Sequence, residues 1–203
     1  TFRIFGAGEW GLAVANHLSC LDNKVEVFFR NDNKVNEYNK SLFCKNLNLS
    51  FDKNIVFRSL EDLSHLSNSE DHFNMIASSS SGFSDIINSY NTYFKSCESI
   101  IWLTKGLDHS KGSLFHEIID IELSSTIKKC IISGPSFAKD LIAKKPLRVS
   151  IASTCGILSD SIIKAMETKN FKLEKTFDII GVEISGVIKN ISGILAGILT
   201  ANL

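Results

Sequence analysis

The stretch Phe2-Arg3-Ile4-Phe5-Gly6-Ala7-Gly8-Glu9-Trp10-Gly11 passes from an apolar run into three spaced glycines and then into helical periodicity over 10–21. Each glycine has its own task in a strand-turn-helix unit. Gly6 permits a tight turn, Gly8 lets backbone approach a pyrophosphate, and Gly11 lets the helix pack closely on the strand. The helix N-terminus adds unpaired N–H donors and the positive end of a dipole. Glu9 is awkward here, because a carboxylate suits a helix start but repels a neighbouring phosphate; its side chain is expected to point to solvent. The alternative for the whole stretch is a glycine-rich turn with no ligand.

An acid commonly meets a free ribose 2′-hydroxyl about 20 residues beyond such glycines, and there the chain reads Phe29-Arg30-Asn31. Arg30 can stack on adenine or pair with a 2′-phosphate, so both NADPH and NADH are candidate cofactors. The plain alternative is a solvated arginine at a strand end.

Further out, short apolar or β-rich runs recur at 2–5, 25–29, 55–58, 73–77, 99–103, 129–132, 147–152 and 171–175. Segments with helical spacing lie between most of them, at 10–21, 82–94, 113–123, 136–143 and 157–168. This alternation predicts an α/β, Rossmann-like parallel or mixed sheet with helices on both faces, whose ligands bind beyond the carboxyl ends of the strands. Residues 31–54, rich in asparagine and lysine, predict one short helix plus exposed loop. The serine run Ser78 to Ser81 reads as a strand-to-helix turn. Past Lys175 the alternation gives way to one long apolar helix with an acidic start at Asp178, so a domain boundary is placed between 1–177 and 178–203. That helix has no following partner in the sequence, and a second, helical lobe is expected to be missing or much reduced.

Of 203 residues, 44% are hydrophobic and 22% charged, the balance of a globular protein. Lysine plus arginine equal aspartate plus glutamate at 22 each, so no net field advertises nucleic acid or an anionic membrane. The five cysteines are scattered, without a CxxC pair, and the five histidines form no HExxH pair; a reduced, cytoplasmic setting and no metal are expected. No signal peptide is read at the chain start. Only 179–203 approaches membrane-span length. Glu183, Lys189 and Asn190 interrupt it, and a charge near a bilayer centre costs ~2.5 to 3.5 kcal/mol; a buried helix of a soluble protein is expected instead.

Three further places carry candidate chemistry. Lys105, in Thr104-Lys105-Gly106, follows an apolar strand and so reaches the ligand edge of the sheet, where a cation can hold a substrate oxygen or phosphate; a surface loop lysine is the alternative. Ser133-Gly134-Pro135-Ser136 breaks a strand into a helix, and its backbone donors with the Ser136 hydroxyl form a candidate anion site, or merely a connection. Lys189 sits with Asn190 among glycines and aliphatic residues, where an ammonium has no packing reason to be. It either snorkels to water or acts as a general acid or base, its pKa lowered by desolvation or by a cation such as Lys105, with the Asn190 amide orienting the same substrate.

Together, GAGEWG at 6–11, TKGLD at 104–108, SGPSFAKDLIAKKP at 133–146 and DIIGVEISGVIKN at 178–190 resemble NAD(P)-dependent glycerol-3-phosphate dehydrogenase of the bacterial type. The resemblance implies NAD(P)H-dependent reversible reduction of dihydroxyacetone phosphate to sn-glycerol 3-phosphate, the reaction that opens glycerophospholipid synthesis. It matches Lys189 with the lysine that exchanges a proton with the substrate oxygen, Asn190 with a neighbouring substrate contact, and Lys105 with a lysine near cofactor and substrate. Gly134 and Ser136 resemble substrate contacts. Ala138, Glu9, Trp10 and Arg30 fall at cofactor positions, beside Gly6, Gly8 and Gly11. A homodimer belongs to the same expectation.

Three departures accompany the match. The position of Glu9 is usually small or neutral in the family, and Ser78 to Ser81 replace a segment with valine and proline. The family also continues into a helical domain that supplies an aspartate beside the lysine and an arginine-asparagine pair for the substrate phosphate, none of it within these residues. Poor turnover is expected without that phosphate clamp. Rival readings are a two-lobe dehydrogenase of a hydroxy acid and a nucleotide-binding module without chemistry.

Overall fold

The computed structural model describes residues 1–66 and 72–201, the side chains of Asn190 and Ala201 excepted. Its elements begin with β1 (Phe2–Phe5), α1 (Glu9–Ser19), β2 (Val25–Phe29), α2 (Asp32–Ser41), the short strands β3 (Phe43–Cys44) and β4 (Leu49–Ser50), and β5 (Ile55–Ser59). They continue with β6 (Phe73–Ile76), α3 (Ser80–Ser89), α4 (Asn91–Lys95), β7 (Ser99–Trp102), α5 (Phe115–Glu122) and β8 (Lys128–Ser133). The last are α6 (Ala138–Ile142), β9 (Leu147–Ser153), α7 (Gly156–Met166), β10 (Phe171–Thr176) and α8 (Ile179–Ala201).

Eight strands form one sheet in the order β10-β9-β8-β7-β6-β1-β2-β5. The six strands from β5 to β8 are mutually parallel; β9 runs antiparallel to β8, and β10 parallel to β9. From β1 the chain moves outward on one side through β2 and β5, then crosses to β6 on the other. The crevice between the carboxyl ends of β1 and β6 is therefore the switch point at which such sheets bind ligands.

All four residues of β1 are buried, as a strand covered on both faces requires. The period of two then divides the core. Ile4 and Val27 face one apolar layer with Leu12, Val14, Leu18, Ile132, Ile151 and Ile162. Phe5 and Phe28 face the other with Ile76, Phe83, Phe94, Trp102, Phe115 and Ile119. Arg3 is a charge inside this core and is held there by partners: its Nε donates to Glu26 Oε2 at 2.8 Å and its Nη1 to Tyr93 Oη at 2.8 Å. Glu26 also accepts from Arg58 Nε at 2.8 Å. Burial pushes the Glu26 carboxyl up, but the two guanidinium hydrogen bonds outweigh it and hold its pKa below the usual value.

All eight strands expected from the sequence are present, and the serine run turns strand into helix as read. The Ser79 hydroxyl accepts from Gly82 N at 3.2 Å and caps α3. Ser79→Ala is expected to cost about 1 kcal/mol, measured as a lower urea midpoint at unchanged slope. The helix expected over 82–94 is two helices, because Tyr90 leaves helical geometry at φ −118° and ψ 33°.

Two expectations need correction. Residues 31–54 are more than a helix and an exposed loop: β3 and β4 pair as a small ladder, and Cys44, Leu47, Leu49 and Phe51 are buried. Phe51 packs against Tyr38 and Phe57, and the Tyr38 hydroxyl donates to Cys44 Sγ, contacts that local periodicity does not reveal. The terminal helix is not a buried helix. Ile179 and Glu183 are buried, yet Ile191 is 55% exposed and Leu199 68%, because only the first turns of α8 lie on the sheet. It is the one helix among the described residues long and apolar enough to cross a membrane by length and composition.

Candidate active site

Gly6 ends β1 at φ +115°, and a Cβ there would stand 2.7 Å from the backbone carbonyl of Ala77. A Cβ on Gly11 would collide with the carbonyl oxygen of Gly6. Both glycines thus let turn, helix and strand occupy one small volume. Gly8 differs: it is the N-cap of α1 without a side-chain cap, and a Cβ there would meet nothing within 4 Å. Open space over uncapped N–H groups is the cradle a pyrophosphate needs. A cavity of about 320 Å³ runs from this turn, lined by Gly6, Gly8, Phe29, Arg30, Lys34 and Ser78 among others.

The exposed Arg30 guanidinium lies at that cavity, 3.4 Å from an Asp85 carboxylate oxygen and 3.5 Å from the Gly82 carbonyl. Lys34, from the first turn of α2, adds a second cation that sequence reading overlooked because its segment looked like loop. Glu9 is exposed, while Trp10 is half-buried and packs on the apolar layer. Ala138 begins α6 and is buried in that same layer, where α6 packs on α1.

β7 carries the chain to Thr104, which is buried, and to Lys105, followed by Gly106 at φ +114°. Asp108 fastens this loop, accepting from Ser84 Oγ at 2.6 Å, Ser110 N at 3.1 Å and Lys111 N at 2.8 Å. Hydrogen bonds from the Ser110 and Ser84 hydroxyls hold its carboxyl down to about 2. With the loop so held, Lys105 Nζ donates to Gly134 O at 2.8 Å and Ser136 Oγ at 3.2 Å. Lys105 and the Ser133 to Ser136 turn, both expected at the ligand edge of the sheet, therefore meet in one site.

Lys189 joins them from α8. Its ammonium lies 5.5 Å from the centroid of the Phe137 ring, a cation–π contact, and with Lys105, Ser133, Gly134, Asp178 and Gly186 it lines a cleft of about 470 Å³. Two details set the character of this cleft. Lys189 is exposed at the cleft and not buried. The ammonium with a strongly lowered pKa is Lys105, pushed down to about 8 first by burial and then by the charge of Lys189. The side chain of Asn190 lies outside the described residues. Phe137 was missed, since nothing in the sequence distinguishes an aromatic residue over a cleft from one in the core.

A glycine turn at the switch point, with a two-lysine cleft beyond the next strands, defines a Rossmann-type dinucleotide-binding protein. Residues 2–157 match the family model for the NAD-dependent glycerol-3-phosphate dehydrogenase N-terminus, and the chain belongs to this family. It is 30% identical over 200 residues to a glycerol-3-phosphate dehydrogenase [NAD(P)+] of Francisella tularensis subsp. novicida, covering 96% of this chain and 58% of the relative. It is 33% identical over 207 residues to the protein so named from Coxiella burnetii, with the same coverages. The crystal structure of glycerol-3-phosphate dehydrogenase from Coxiella burnetii superposes with a TM-score of 0.80 at 28% identity, over 91% of this chain and 56% of that one. The chain thus spans somewhat over half the length of the relatives it matches.

Proposed function

We propose that the protein binds NAD(P)H and catalyses the reversible reduction of dihydroxyacetone phosphate to sn-glycerol 3-phosphate, supplying glycerophospholipid synthesis. The observation that carries this reading is the convergence of Lys105 and Lys189 on one cleft, in a chain whose glycine turn is shaped for a pyrophosphate. Gly6, Gly8, Gly11 and the start of α1 would hold the dinucleotide, with Glu9, Trp10 and Ala138 around its path and Arg30 at its adenosine end. Bound there, the reduced nicotinamide supplies the hydride.

The rest falls to the chain's own groups. Lys105 is oriented by Gly134 O and Ser136 Oγ and offers a cation to the carbonyl oxygen, where charge develops during reduction. Lys189, free of strong hydrogen-bond partners of its own in the described contacts and steadied by Phe137, delivers the proton to that oxygen. Gly134, Ser136 and Asn190 complete the substrate contacts in this proposal. The domain boundary near residue 177 belongs to it too: Asp178 Oδ1 accepts from Gly181 N at 2.8 Å and starts α8 as a new element. So do a cytoplasmic location, supported by five free thiols, a homodimer, and a chain that neither spans a membrane nor binds nucleic acid.

The deciding experiment follows loss of reduced nicotinamide absorbance when the protein is mixed with dihydroxyacetone phosphate and NADH or NADPH. Turnover of a non-phosphorylated keto acid with indifference to dihydroxyacetone phosphate would overturn the reading. A pH dependence also follows. Because its pKa is lowered to about 8, Lys105 loses its charge as pH rises through that value, and the reduction rate is expected to fall there. Lys105→Arg keeps the charge throughout, so the variant, whatever its absolute rate, should lose this alkaline fall in a pH–rate profile.

A further inference from the structure

Glu183 is a carboxylate on the inward face of an otherwise aliphatic stretch of α8 and is 3% exposed. Inward positions i, i+3, i+4 and i+7 of this helix are Ile179, Val182, Glu183 and Gly186, while Ile180 and Ile184 point outward. Isoleucine or valine at 183 would avoid the cost of desolvating a charge. What occupies Glu183 instead is the start of α5. Its Oε1 accepts from Phe115 N at 3.0 Å and His116 N at 3.3 Å, and its Oε2 pairs with His116 Nδ1 at 2.5 Å. The residue preceding α5, Leu114, has no side-chain oxygen to cap these N–H groups, so Glu183 caps the helix from another element. Burial raises the Glu183 pKa, partly offset by the hydrogen bonds from His116 and the backbone.

This contact fixes how α8 is turned. Lys189 follows Glu183 by six residues, about 9 Å along a helix axis, and Gly186 between them sits against Ser133 and Lys105, where an added Cβ would come 3.3 Å from Ser133 Oγ. Beyond Gly186 the helix is largely exposed, so the contacts that decide where Lys189 points lie in its first turns. We propose that Glu183 and His116 are a positioning pair that clamps α8 to the start of α5 and thereby holds the Lys189 ammonium in the cleft beside Lys105. The pair acts through Lys189 and does not touch substrate. Its catalytic consequence rests on the function proposed above, but its geometric content does not.

Two measurements separate these. Lysine side-chain NMR, with Lys105 assigned through Lys105→Met, reads the Lys105 titration in the 203-residue chain. Because burial first and the charge of Lys189 second lower the Lys105 pKa to about 8, and Gly186 of α8 lies against Lys105, Glu183→Ala and Glu183→Gln should move its midpoint upward toward the ordinary lysine value. His116→Gln, which leaves the two backbone donors in place, should move it less in the same direction. In turnover assays the same variants should lower kcat by about tenfold or more, with dinucleotide affinity held within about twofold. Folded variants with an unchanged Lys105 midpoint would overturn the proposal. If the Glu183 variants do not fold, His116→Gln decides: a raised midpoint supports the clamp and an unmoved one rejects it. A raised midpoint in a protein that ignores dihydroxyacetone phosphate would retain the clamp and reject the substrate.

Discussion

Lys189→Ala is expected to reduce turnover of dihydroxyacetone phosphate by about 10²- to 10⁴-fold, the range spanned by loss of a positioned general acid. The dinucleotide cavity at the glycine turn does not include Lys189, so NADPH affinity measured by calorimetry should stay within about twofold. Lys189→Arg should not restore the rate. Its guanidinium keeps a charge in the cleft but holds its proton too firmly to give it up near neutral pH. Stability should hardly change, because Lys189 is exposed and its named contact is the ring of Phe137. Near-normal kcat in folded Lys189→Ala would remove this lysine from the chemistry and leave Lys105 as the proton carrier.

The glycine turn yields the second large effect, and it splits two residues that look alike in the sequence. Gly6→Ala must place a Cβ 2.7 Å from the Ala77 backbone at φ +115°. Strain of the positive φ and overpacking against main chain together should cost about 2–5 kcal/mol, roughly 5–15 °C in Tm for a chain of this size. Dinucleotide binding should be lost with it. Gly8→Ala meets nothing within 4 Å and has φ −71°, so its stability should lie within about 0.5 kcal/mol of the parent. Its affinity for NAD(P)H should nevertheless fall by about tenfold or more, or 1.4 kcal/mol, if the open space above Gly8 is where a pyrophosphate lies. Thermal melts and calorimetry on both variants check the division. Equal melting losses would show that Gly8 serves the fold, and unimpaired binding by Gly8→Ala would move the cofactor elsewhere.

The strands were legible because β1, β2, β6 and β7 are short, apolar and bounded by turn residues, the pattern a doubly covered parallel sheet imposes. The glycine roles were legible for the same local reason. The segment 31–54 was not, since its burial rests on tertiary contacts such as those of Tyr38 with Phe51, Phe57 and Cys44. In the site, Lys105, Ser136 and Lys189 could each be picked out as polar groups in places where packing gives them no purpose. That Lys105, Ser136 and Lys189 share one site was legible too; the orientation in which Lys189 meets the others was not, because it depends on the turn of α8 about its axis. Glu183 was visible as a lone acid in an apolar helix and was used only as an argument against a membrane span. Its partner His116 lies 67 positions earlier, beyond any periodic signal. The lowered pKa of Lys105 was likewise a matter of burial, and burial at the cleft is a property of the assembled chain.

The place of β1 between β2 and β6 has a consequence in time. A ribosome delivers β1 first, and its partner β2 soon after, but the strand on its other side, β6, comes only after α2, the β3–β4 ladder and β5 have emerged. At 5–20 residues per second this is a delay on the order of seconds. Through that interval Phe2 and Ile4 have a bare flank, and the glycine turn lacks the Ala77 backbone against which Gly6 is shaped. The nucleotide cradle is encoded in a handful of adjacent residues, yet during synthesis it can exist only after the middle of the chain has arrived. NAD(P)H should therefore fail to protect nascent chains arrested before β6 from proteolysis, and begin to protect them once that strand has docked.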